Sequence, residues 1–354
     1  MTNASPHEIY MKRCFELALN GLGYVAPNPL VGSVIVHNNK IIGEGYHKQY
    51  GQPHAEVNAI ESVADKSLLK DSTLYVNLEP CSHHGKTPPC SDLIISNGIP
   101  RVVISTTDPY RLVNGKGIER LRNNGVEIIT DILKQEGEKL NKRFFTFHRK
   151  FRPYIILKWA QTADGFIDIL REPGTPQKPT WITNEQARML VHKWRSEEQG
   201  IIVGTQTAFI DNPQLNVRNW VGNNPVRIVI DRRLRLPGNL HLFDNSVQTL
   251  VFTANTPDED ERIIGRTEFI TTEFDEYLPE HILGELYRRN IQSVIVEGGA
   301  KTLQTFITPG LWDEARVFTG SINFYEGVAA PKISYPAEST EIWDEYKLEI
   351  FRQT

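Results

Sequence analysis

The chain has 354 residues, and at about 150 residues per domain this length predicts two domains. Apolar residues make up 40% of the chain and charged residues 23%, proportions that exclude a disordered, collagen-like or coiled-coil protein. Lys and Arg number 39 against 43 Asp and Glu, a formal charge of −4. This balance does not favour a long polyanion such as nucleic acid as the main partner.

The length of the apolar segments and the number of cysteines predict the cellular compartment of the protein. No apolar run approaches the ~18 residues of a spanning helix, and the first 23 residues lack the apolar core of a secretory signal. The three cysteines, Cys14, Cys81 and Cys90, are too few for a disulfide scaffold. We therefore expect a cytoplasmic protein whose cysteines are ligands or core residues.

Helix and strand patterns alternate along the first 150 residues. We predict a helix over 7–22, a hairpin over 31–47 that turns at His37-Asn38-Asn39-Lys40, and a helix in HAEVNAIESVA. The strand TLYVNLEP, the helix PPCSDLIISNGI, the strand RVVIST, the helix GKGIERLRNNG and the strand VEIITDI follow. A charged helix over 134–149 leads the chain out of this domain.

A second series of elements begins at Arg152-Pro153. Its first strand lies in PYIILKWAQTADGFI, residues 171–179 form a loop, and NEQARMLVHKWRSEE is a helix that Thr183 or Asn184 caps. The strands GIIVG, VRIVID, TLVFT, TEFIT and SVIVEGG follow, with helices between several of them. This alternation predicts two α/β domains with largely parallel sheets, over 1–150 and 151–354.

The most informative residues are His54-Ala55-Glu56 and the pair Cys81 and Cys90. One imidazole and two thiolates make a three-ligand zinc site that leaves the fourth tetrahedral position open for water, as in catalytic zinc sites. Glu56 need not bind the metal and can move a proton from water to a departing amine. H-x-E followed by P-C is the signature of zinc deaminases. Buried apolar cysteines and a helix-capping His54 are the alternative, which the joint occurrence of these residues disfavours.

The insert between the two cysteines, SHHGKTPP, is longer than in the P-C-x-x-C deaminases by six residues. It places two His, one Lys and a Gly beside the metal, which favours a phosphate or ribose on a small substrate over an extruded nucleotide. Exposed loop positions for His83 and His84 are the alternative interpretation.

The motifs PCSHHGKTPPC, NPLVGSVIV and HAEVNAI resemble the bifunctional deaminase/reductase family of riboflavin biosynthesis. The resemblance runs from about residue 8 to about residue 320. It implies an N-terminal cytidine-deaminase-like three-layer domain that hydrolyses the amine of 2,5-diamino-6-ribosylamino-4(3H)-pyrimidinone 5′-phosphate. It also implies a C-terminal dihydrofolate-reductase-like domain that uses NADPH to reduce the ribosyl group, giving 5-amino-6-(5-phosphoribitylamino)uracil.

In the first domain the resemblance implies one zinc per chain, bound by His54, Cys81 and Cys90, with Glu56 as proton donor and acceptor. It implies contacts with the pyrimidine or its ribose phosphate from Asn28, His47, His83 and Lys86. The segment DPYRLVNGKG departs from the family's more usual DPNP, so Tyr110 and Arg111 leave the local substrate contacts open.

In the second domain the residues by themselves indicate less. Gly298-Gly299 follows the strand SVIVE and opens a helix, a setting in which backbone N–H groups bind phosphate, although a tight turn explains it equally well. The chain has no G-x-G-x-x-G, so a Rossmann site is not expected. Hydride transfer requires no acid side chain when the reactants are well placed, so no catalytic acid or base is predicted here.

The segments KWAQTADG, TWIT, KWR, QTAFIDNPQLNVR and VEGGAKTL resemble the family's reductase half in the same order. The match implies NADPH contacts from Ala160, Trp181, Thr207, Asp211, Arg232, Gly299, Ala300, Lys301 and Thr302. It implies substrate contacts from Arg195, Leu215, Arg218 and Glu297, the two arginines being suited to a phosphate. Arg232 suits the 2′-phosphate of NADPH, with a solvated surface arginine as the alternative.

Three departures from the family concern this half. Pro179 stands where the family usually has Ser, Arg232-Arg233 follow VID, and VFTGSINFYEG replaces an APK-type segment. A deaminase with a degenerate, inactive reductase is therefore one alternative. A nucleic-acid base deaminase and a non-enzymatic zinc protein are others, disfavoured by the long insert and by Glu56 respectively. We expect a small-molecule substrate, no nucleic-acid or membrane partner, and a homo-oligomer.

Overall fold

The computed structural model describes residues 5–82, 88–110, 113–172, 178–256, 258, 260 and 262–353. The predicted site residues His83 and Lys86, and Arg111, lie outside the described residues. The chain divides into two compact units, Met1–Lys150 and Phe151–Thr354. Within the described ranges no helix has both the length and the apolar character needed to cross a bilayer.

A five-stranded sheet forms the centre of the first unit. Its strands are β1 (Gly32–His37), β2 (Lys40–Tyr46), β3 (Thr73–Leu78), β4 (Arg101–Thr106) and β5 (Glu127–Ile129), in the order β2-β1-β3-β4-β5. β1 runs antiparallel to β2 and β3, whereas β3, β4 and β5 are parallel. Asn38 and Asn39 have φ values of 49° and 61°, the left-handed conformation that a tight hairpin turn requires. The predicted hairpin is confirmed.

Helices cover both faces of this sheet. They are α1 (Pro6–Leu19), α2 (Ala55–Ser62), α3 (Cys90–Ser96), α4 (Lys116–Asn123), α5 (Lys134–Leu140) and α6 (Lys142–Lys150), with a 3-10 helix at Lys66–Asp71. Apolar residues of α2, α3 and α4 pack on one face of the sheet, against side chains such as Ile35 and Val76. Apolar residues of α1 pack on the other, against Val34 and Tyr75. The predicted three-layer domain is confirmed.

The prediction of one helix over 134–149 is wrong, because Asn141 interrupts it between α5 and α6. Asn141 is 3% exposed, and its amide accepts a hydrogen bond from Leu30 N at 2.8 Å and donates one to Leu30 O at 2.9 Å. Leu30 lies outside the helices and strands, so its backbone N–H and carbonyl can bond to this side chain. The contact spans 111 residues and has no local sequence signal.

A ten-stranded sheet forms the centre of the second unit. Its strands are β6 (Tyr154–Gln161), β8 (Gly200–Gly204), β9 (Val226–Ile230), β10 (Thr249–Thr253), β11 (Ile263–Ile264), β12 (Thr267–Thr271), β13 (Ser293–Glu297), β14 (Glu314–Gly320), β16 (Ser339–Trp343) and β17 (Tyr346–Arg352). The order is β11-β12-β10-β9-β8-β13-β6-β14-β17-β16. The strands from β12 to β14 pair in parallel, and β11, β17 and β16 pair antiparallel at the edges.

Four helices accompany this sheet: α7 (Glu185–Glu197), α8 (Thr205–Asp211), α9 (Leu278–Arg288) and α10 (Ala300–Ile307), with a 3-10 helix at His241–Phe243. Asn184 caps α7 by accepting a hydrogen bond from Ala187 N, which agrees with one of the two predicted caps. β7 (Phe166–Asp168) and β15 (Val328–Ala329) form a separate two-stranded sheet. Because β13 pairs in parallel with both β6 and β8, the carboxyl ends of these three strands lie at the same edge of the sheet. Ligands commonly bind at this edge in α/β sheets.

Candidate active sites

Three side chains with metal-binding atoms meet in the first unit. His54 is the N-cap of α2, Cys90 opens α3, and Cys81 lies three residues beyond β3. His54 Nδ1 lies 3.3 Å from Cys90 Sγ and 3.7 Å from Cys81 Sγ. One nitrogen and two sulfur donors are a set that tetrahedral zinc accepts while it keeps a fourth position open. The residues that the sequence predicted as ligands fit the metal.

The two thiols are electrostatically unequal. The Cys90 thiol donates to the Cys81 sulfur and lowers the pKa of Cys81, as does His54. The same contact, together with burial, raises the pKa of Cys90. The backbone N–H of Cys90 also donates to Cys81 Sγ at 3.3 Å. Cys81 is therefore the more acidic thiol of the pair, and a thiolate is the form that binds a metal.

Glu56 lies on the first turn of α2, two residues after His54. Only 3% of it is exposed, and burial raises its pKa. A carboxyl group kept from water in this way holds a proton more readily than a surface glutamate does. This property suits a group that takes up a proton and returns it during a reaction.

The predicted substrate contacts Asn28 and His47 form a hydrogen-bonded pair beside the ligands. His47 Nδ1 lies 3.0 Å from the carbonyl oxygen of Pro53, and its Nε2 lies 3.0 Å from Asn28 Nδ2. Because a carbonyl can only accept, His47 donates from Nδ1 and accepts at Nε2. Its ring lies edge-on to the ring of His54, with the centroids 5.4 Å apart. Burial lowers the pKa of His47, so the ring stays neutral.

We expect one zinc per chain in the wild-type protein and little in Cys81→Ser, since a serine hydroxyl does not ionise as a thiol does. Metal analysis after gel filtration measures this. Cys14→Ser is the matched control, because Cys14 lies in the core between α1 and the sheet and should leave the zinc in place. Full zinc in Cys81→Ser would contradict the assignment.

A cavity of about 740 Å³ lies at the ends of β6, β8 and β13 in the second unit. This volume is within the usual range of small-molecule sites. Nine of the residues predicted for the reductase half line it: Ala160, Trp181, Arg195, Thr207, Asp211, Leu215, Arg218, Glu297 and Gly299.

Four other predicted NADPH contacts lie outside that lining. Arg232 lines a separate groove of about 840 Å³, where its guanidinium lies 5.8 Å from the ring centre of Phe274. Ala300 and Lys301 line a third groove of about 440 Å³. The Thr302 side chain packs so closely on Gly204 that a Cβ there would lie 2.4 Å from its hydroxyl.

Buried charges cluster on one wall of the cavity. Arg195 donates to Glu297 through Nε at 3.1 Å and Nη2 at 2.7 Å, and through Nη1 to the carbonyl oxygen of Asn216 at 3.4 Å. Lys158 Nζ lies 3.9 Å from Glu297. Burial raises the pKa of Glu297, but Arg195 and Lys158 outweigh it and hold that pKa at about 2. Burial lowers the pKa of Lys158.

Lys158 is a lining residue that the sequence did not single out. It lies in the largely apolar strand YIILKWAQ. A lysine inside such a strand is the sequence feature that could have marked it as a candidate site residue. Side chains of lysine are rarely buried without a function or a partner.

The cavity also has features that fit a nicotinamide cofactor. The indole of Trp181 is 58% exposed at its wall, a flat surface of the kind that aromatic rings stack on. Gly299 N donates to Thr207 Oγ1 at 3.0 Å, and a Cβ at Gly299 would meet only that hydroxyl, at 3.6 Å. The backbone between β13 and α10 is therefore open to close approach by a ligand.

We expect Asp211→Asn to stabilise the second unit at high pH. Burial, reinforced by Asp168, raises the pKa of Asp211 to about 6. The stability that this raised pKa contributes is full below about pH 4 and is lost as the pH rises through about 6. The variant should gain roughly 3 kcal/mol over wild type between about pH 4 and about pH 8.

Thermal unfolding of the full chain across this pH range measures the effect. The exposed Asp344→Asn serves as the control and should show no such gain. A pH-independent difference between Asp211→Asn and wild type would contradict the prediction.

Residues 4–106 match the family described as the cytidine and deoxycytidylate deaminase zinc-binding region, and residues 153–324 match the RibD C-terminal domain. Among curated proteins, the riboflavin biosynthesis protein RibD of Aquifex aeolicus is 40% identical over 324 residues, 90% of this chain and 88% of that protein. RibD of Bacillus amyloliquefaciens is 42% identical over 332 residues, 92% of this chain and 87% of that protein.

A solved structure from Thermotoga maritima superposes on the chain with a TM-score of 0.88 at 39% identity, covering 99% of both chains. That protein is described as a diaminohydroxyphosphoribosylaminopyrimidine deaminase/5-amino-6-(5-phosphoribosylamino)uracil reductase. The Acinetobacter baumannii RibD structure gives a TM-score of 0.87 at 30% identity, again over 99% of both chains.

Fold and sites together define a bifunctional enzyme: a zinc-dependent, cytidine-deaminase-like domain and a dihydrofolate-reductase-like domain that uses NADPH. The chain belongs to the RibD family of riboflavin biosynthesis, in agreement with the predicted resemblance. Both catalytic domains are present, so a nucleic-acid base deaminase and a degenerate reductase are not favoured. The enzyme acts on a small pyrimidine.

Proposed function

We propose that the chain deaminates 2,5-diamino-6-ribosylamino-4(3H)-pyrimidinone 5′-phosphate and then reduces the ribosyl group, giving 5-amino-6-(5-phosphoribitylamino)uracil. One observation carries this proposal: the same chain has both kinds of site. Its first unit has the His54, Cys81 and Cys90 cluster beside a buried Glu56, and its second unit has a cavity rich in Lys and Arg. The bound groups supply water activation, from zinc, and hydride, from NADPH.

In the first unit Glu56 carries the proton. It takes one from the attacking water and delivers it to the amine that leaves the pyrimidine as ammonia. Asn28 supplies a fixed hydrogen-bonding group for the pyrimidine, because its amide nitrogen is held by His47 Nε2 and the Pro53 carbonyl sets the orientation of the His47 ring. The His47 ring contacts the pyrimidine through its edge, since both of its nitrogens are already hydrogen-bonded. The proposed contacts of His83 and Lys86 rest on the sequence resemblance alone.

In the second unit Arg218 and Arg188 are the groups suited to the phosphate. Arg195 is committed to Glu297. In the described part of the chain neither Arg188 nor Arg218 pairs with a carboxylate: Arg218 donates to the Asn216 side chain, and Arg188 lies 4.7 Å above the ring of Trp181. Burial and the charges of Arg195 and Arg188 lower the pKa of Arg218, so an anion between these arginines would be stabilised.

We expect Arg218→Ala and Arg188→Ala each to raise KM for the deaminated substrate about 10–100-fold with little change in kcat, since a phosphate contact stabilises ground and transition states alike. The exposed Lys193→Ala is the control. Fluorescence titration of NADPH is run in parallel. A loss of NADPH affinity with an unchanged substrate KM would instead assign the two arginines to the cofactor's phosphate.

The proposed function is tested by supplying the diaminopyrimidine phosphate to the zinc-loaded chain and following ammonia release and NADPH consumption separately. We expect ammonia without NADPH, and NADPH consumption only once deaminated product has formed. Ammonia release without any NADPH consumption would contradict the reductase half. No ammonia from a zinc-loaded chain would contradict the deaminase half.

We further propose a cytoplasmic homo-oligomer. Three free cysteines, two of them metal ligands, suit a reducing compartment. The edge strand β16 carries Ile342 at 86% exposure and Trp343 at 42%, and apolar side chains on an unpaired edge favour association with a second copy. Light scattering of the purified chain tests the oligomer, and a monomer mass would contradict it.

A further inference from the structure

The buried carboxylate of Glu79, close in sequence to the metal-binding Cys81, accepts several hydrogen bonds from backbone N–H groups. Glu79 follows β3 and stands two residues before Cys81, and only 4% of it is exposed. Its Oε2 accepts hydrogen bonds from the backbone N–H groups of Asp108 at 3.2 Å and Gly115 at 2.9 Å. Its Oε1 accepts from Gly117 at 2.9 Å and Ile118 at 3.3 Å.

These bonds join two segments that are distant in sequence. Asp108, Gly115, Gly117 and Ile118 belong to the segment between β4 and the first turn of α4. In the part of the chain that the structure describes, the side-chain oxygens of Glu79 accept from backbone N–H groups, two of them in the first turn of α4, where such donors have no partner within the helix. A buried carboxylate held only by backbone donors fixes those donors in place.

The same segment is packed directly against the residue before Cys81. A Cβ added at Gly117 would lie 2.0 Å from the carbonyl oxygen of Pro80. A shift of the segment would therefore be transmitted through Pro80 to Cys81.

We propose that Glu79 is a positioning residue of the deaminase, which holds Cys81 and the Asp108 segment in one fixed arrangement around the pyrimidine. Glu79 is not one of the three metal-binding side chains and acts through its four hydrogen bonds from backbone N–H groups. The reaction is sensitive to such placement, because a displacement of about 1 Å can lower a rate by about two orders of magnitude. This inference rests on the deaminase function proposed above.

The test is Glu79→Gln in the full-length chain. Glutamine keeps the volume, but its NH2 group faces backbone donors and cannot accept from them, so about two bonds are lost. We expect kcat for ammonia release to fall at least about tenfold with one zinc per chain retained. In the cobalt-substituted protein we expect the thiolate-to-cobalt absorption to shift, since it reports the geometry at Cys81. NADPH-dependent reduction of the deaminated substrate should be unchanged.

A second variant keeps the inference testable if Glu79→Gln does not fold. Gly115 has φ +83° and open space around its Cβ, so Gly115→Ala strains one donor without a clash. We expect the same change in kcat and absorption, but smaller. Gly125→Ala is the matched control, because Gly125 has φ +79° and lies beyond the opposite end of α4.

Three results are decisive. Wild-type kcat and cobalt absorption in Glu79→Gln would overturn the inference, and so would a loss of kcat only in proportion to lost zinc, which indicates a folding role. Equal effects of Gly115→Ala and Gly125→Ala would also overturn it. A wild-type chain that releases no ammonia would instead overturn the proposed function, so the two failures are distinguishable.

Discussion

Glu56→Gln should retain zinc and lose deamination by roughly 10²–10⁴-fold, which is the usual contribution of general acid–base transfer. The amide has nearly the same shape as the carboxyl group but can neither take a proton from water nor deliver one to the leaving amine. Because Glu56 is 3% exposed and lies on the first turn of α2, bulk water does not readily replace it in proton transfer.

Steady-state ammonia release by the zinc-loaded variant measures this prediction. Glu61→Gln is the matched control, because Glu61 lies on the same helix and is exposed. The reductase rate on deaminated substrate should be unchanged in both variants, since Glu56 and Glu61 belong to the first unit and the reductase cavity to the second. A near wild-type rate of ammonia release from Glu56→Gln would refute the proton-transfer role.

Lys158→Met should lower kcat of the reductase step by roughly 10²–10⁴-fold while NADPH binding changes little. When hydride adds to C1′ of the ribosyl group, the C1′–O4′ bond breaks and O4′ must gain a proton. The ammonium of Lys158 lines the cavity and is paired only loosely, at 3.9 Å, with Glu297. Burial lowers the pKa of Lys158, which makes its proton easier to transfer.

Single-turnover oxidation of NADPH measures this prediction, with fluorescence titration of NADPH alongside it. Lys193→Met is the control, because Lys193 lies on the exposed side of α7. Lys158→Met removes one cationic neighbour of Glu297. Because Glu297 keeps its ion pair with Arg195, the second unit should stay folded. An unchanged single-turnover rate would show that placement of the reactants alone suffices, as the sequence analysis expected.

The elements that local patterns determine agree with the structure. The Asn38-Asn39 turn, the Asn184 cap and the strands β6, β8, β9, β10, β12 and β13 follow from side-chain period and turn chemistry over a few residues. The strand β14 and the short strands β7, β11 and β15 were not predicted. The long edge hairpin of β16 and β17 was not predicted. β16 is exposed along its whole length, so it has no alternation of buried and polar residues.

The sequence by itself determined the chemistry of the first site. His54, Glu56, Cys81 and Cys90 are residue types with few other uses at such spacing. The positions of His54, Glu56 and Cys90 at helix starts, and of Cys81 just after β3, are local properties. The family resemblance supplied the second site in outline, and the cavity brings most of those residues together.

Only the tertiary structure decided which side chains share an environment. It places Arg232 in a different groove from the cavity, sets Lys158 beside Glu297, and joins Glu79 to α4. Each of these contacts or separations involves residues that are tens of positions or more apart in the sequence. The burial that lowers the pKa of Lys158 depends on every element packed around its side chain. A one-dimensional pattern records the type of each residue, whereas its electrostatics and partners arise only when distant segments fold against one another.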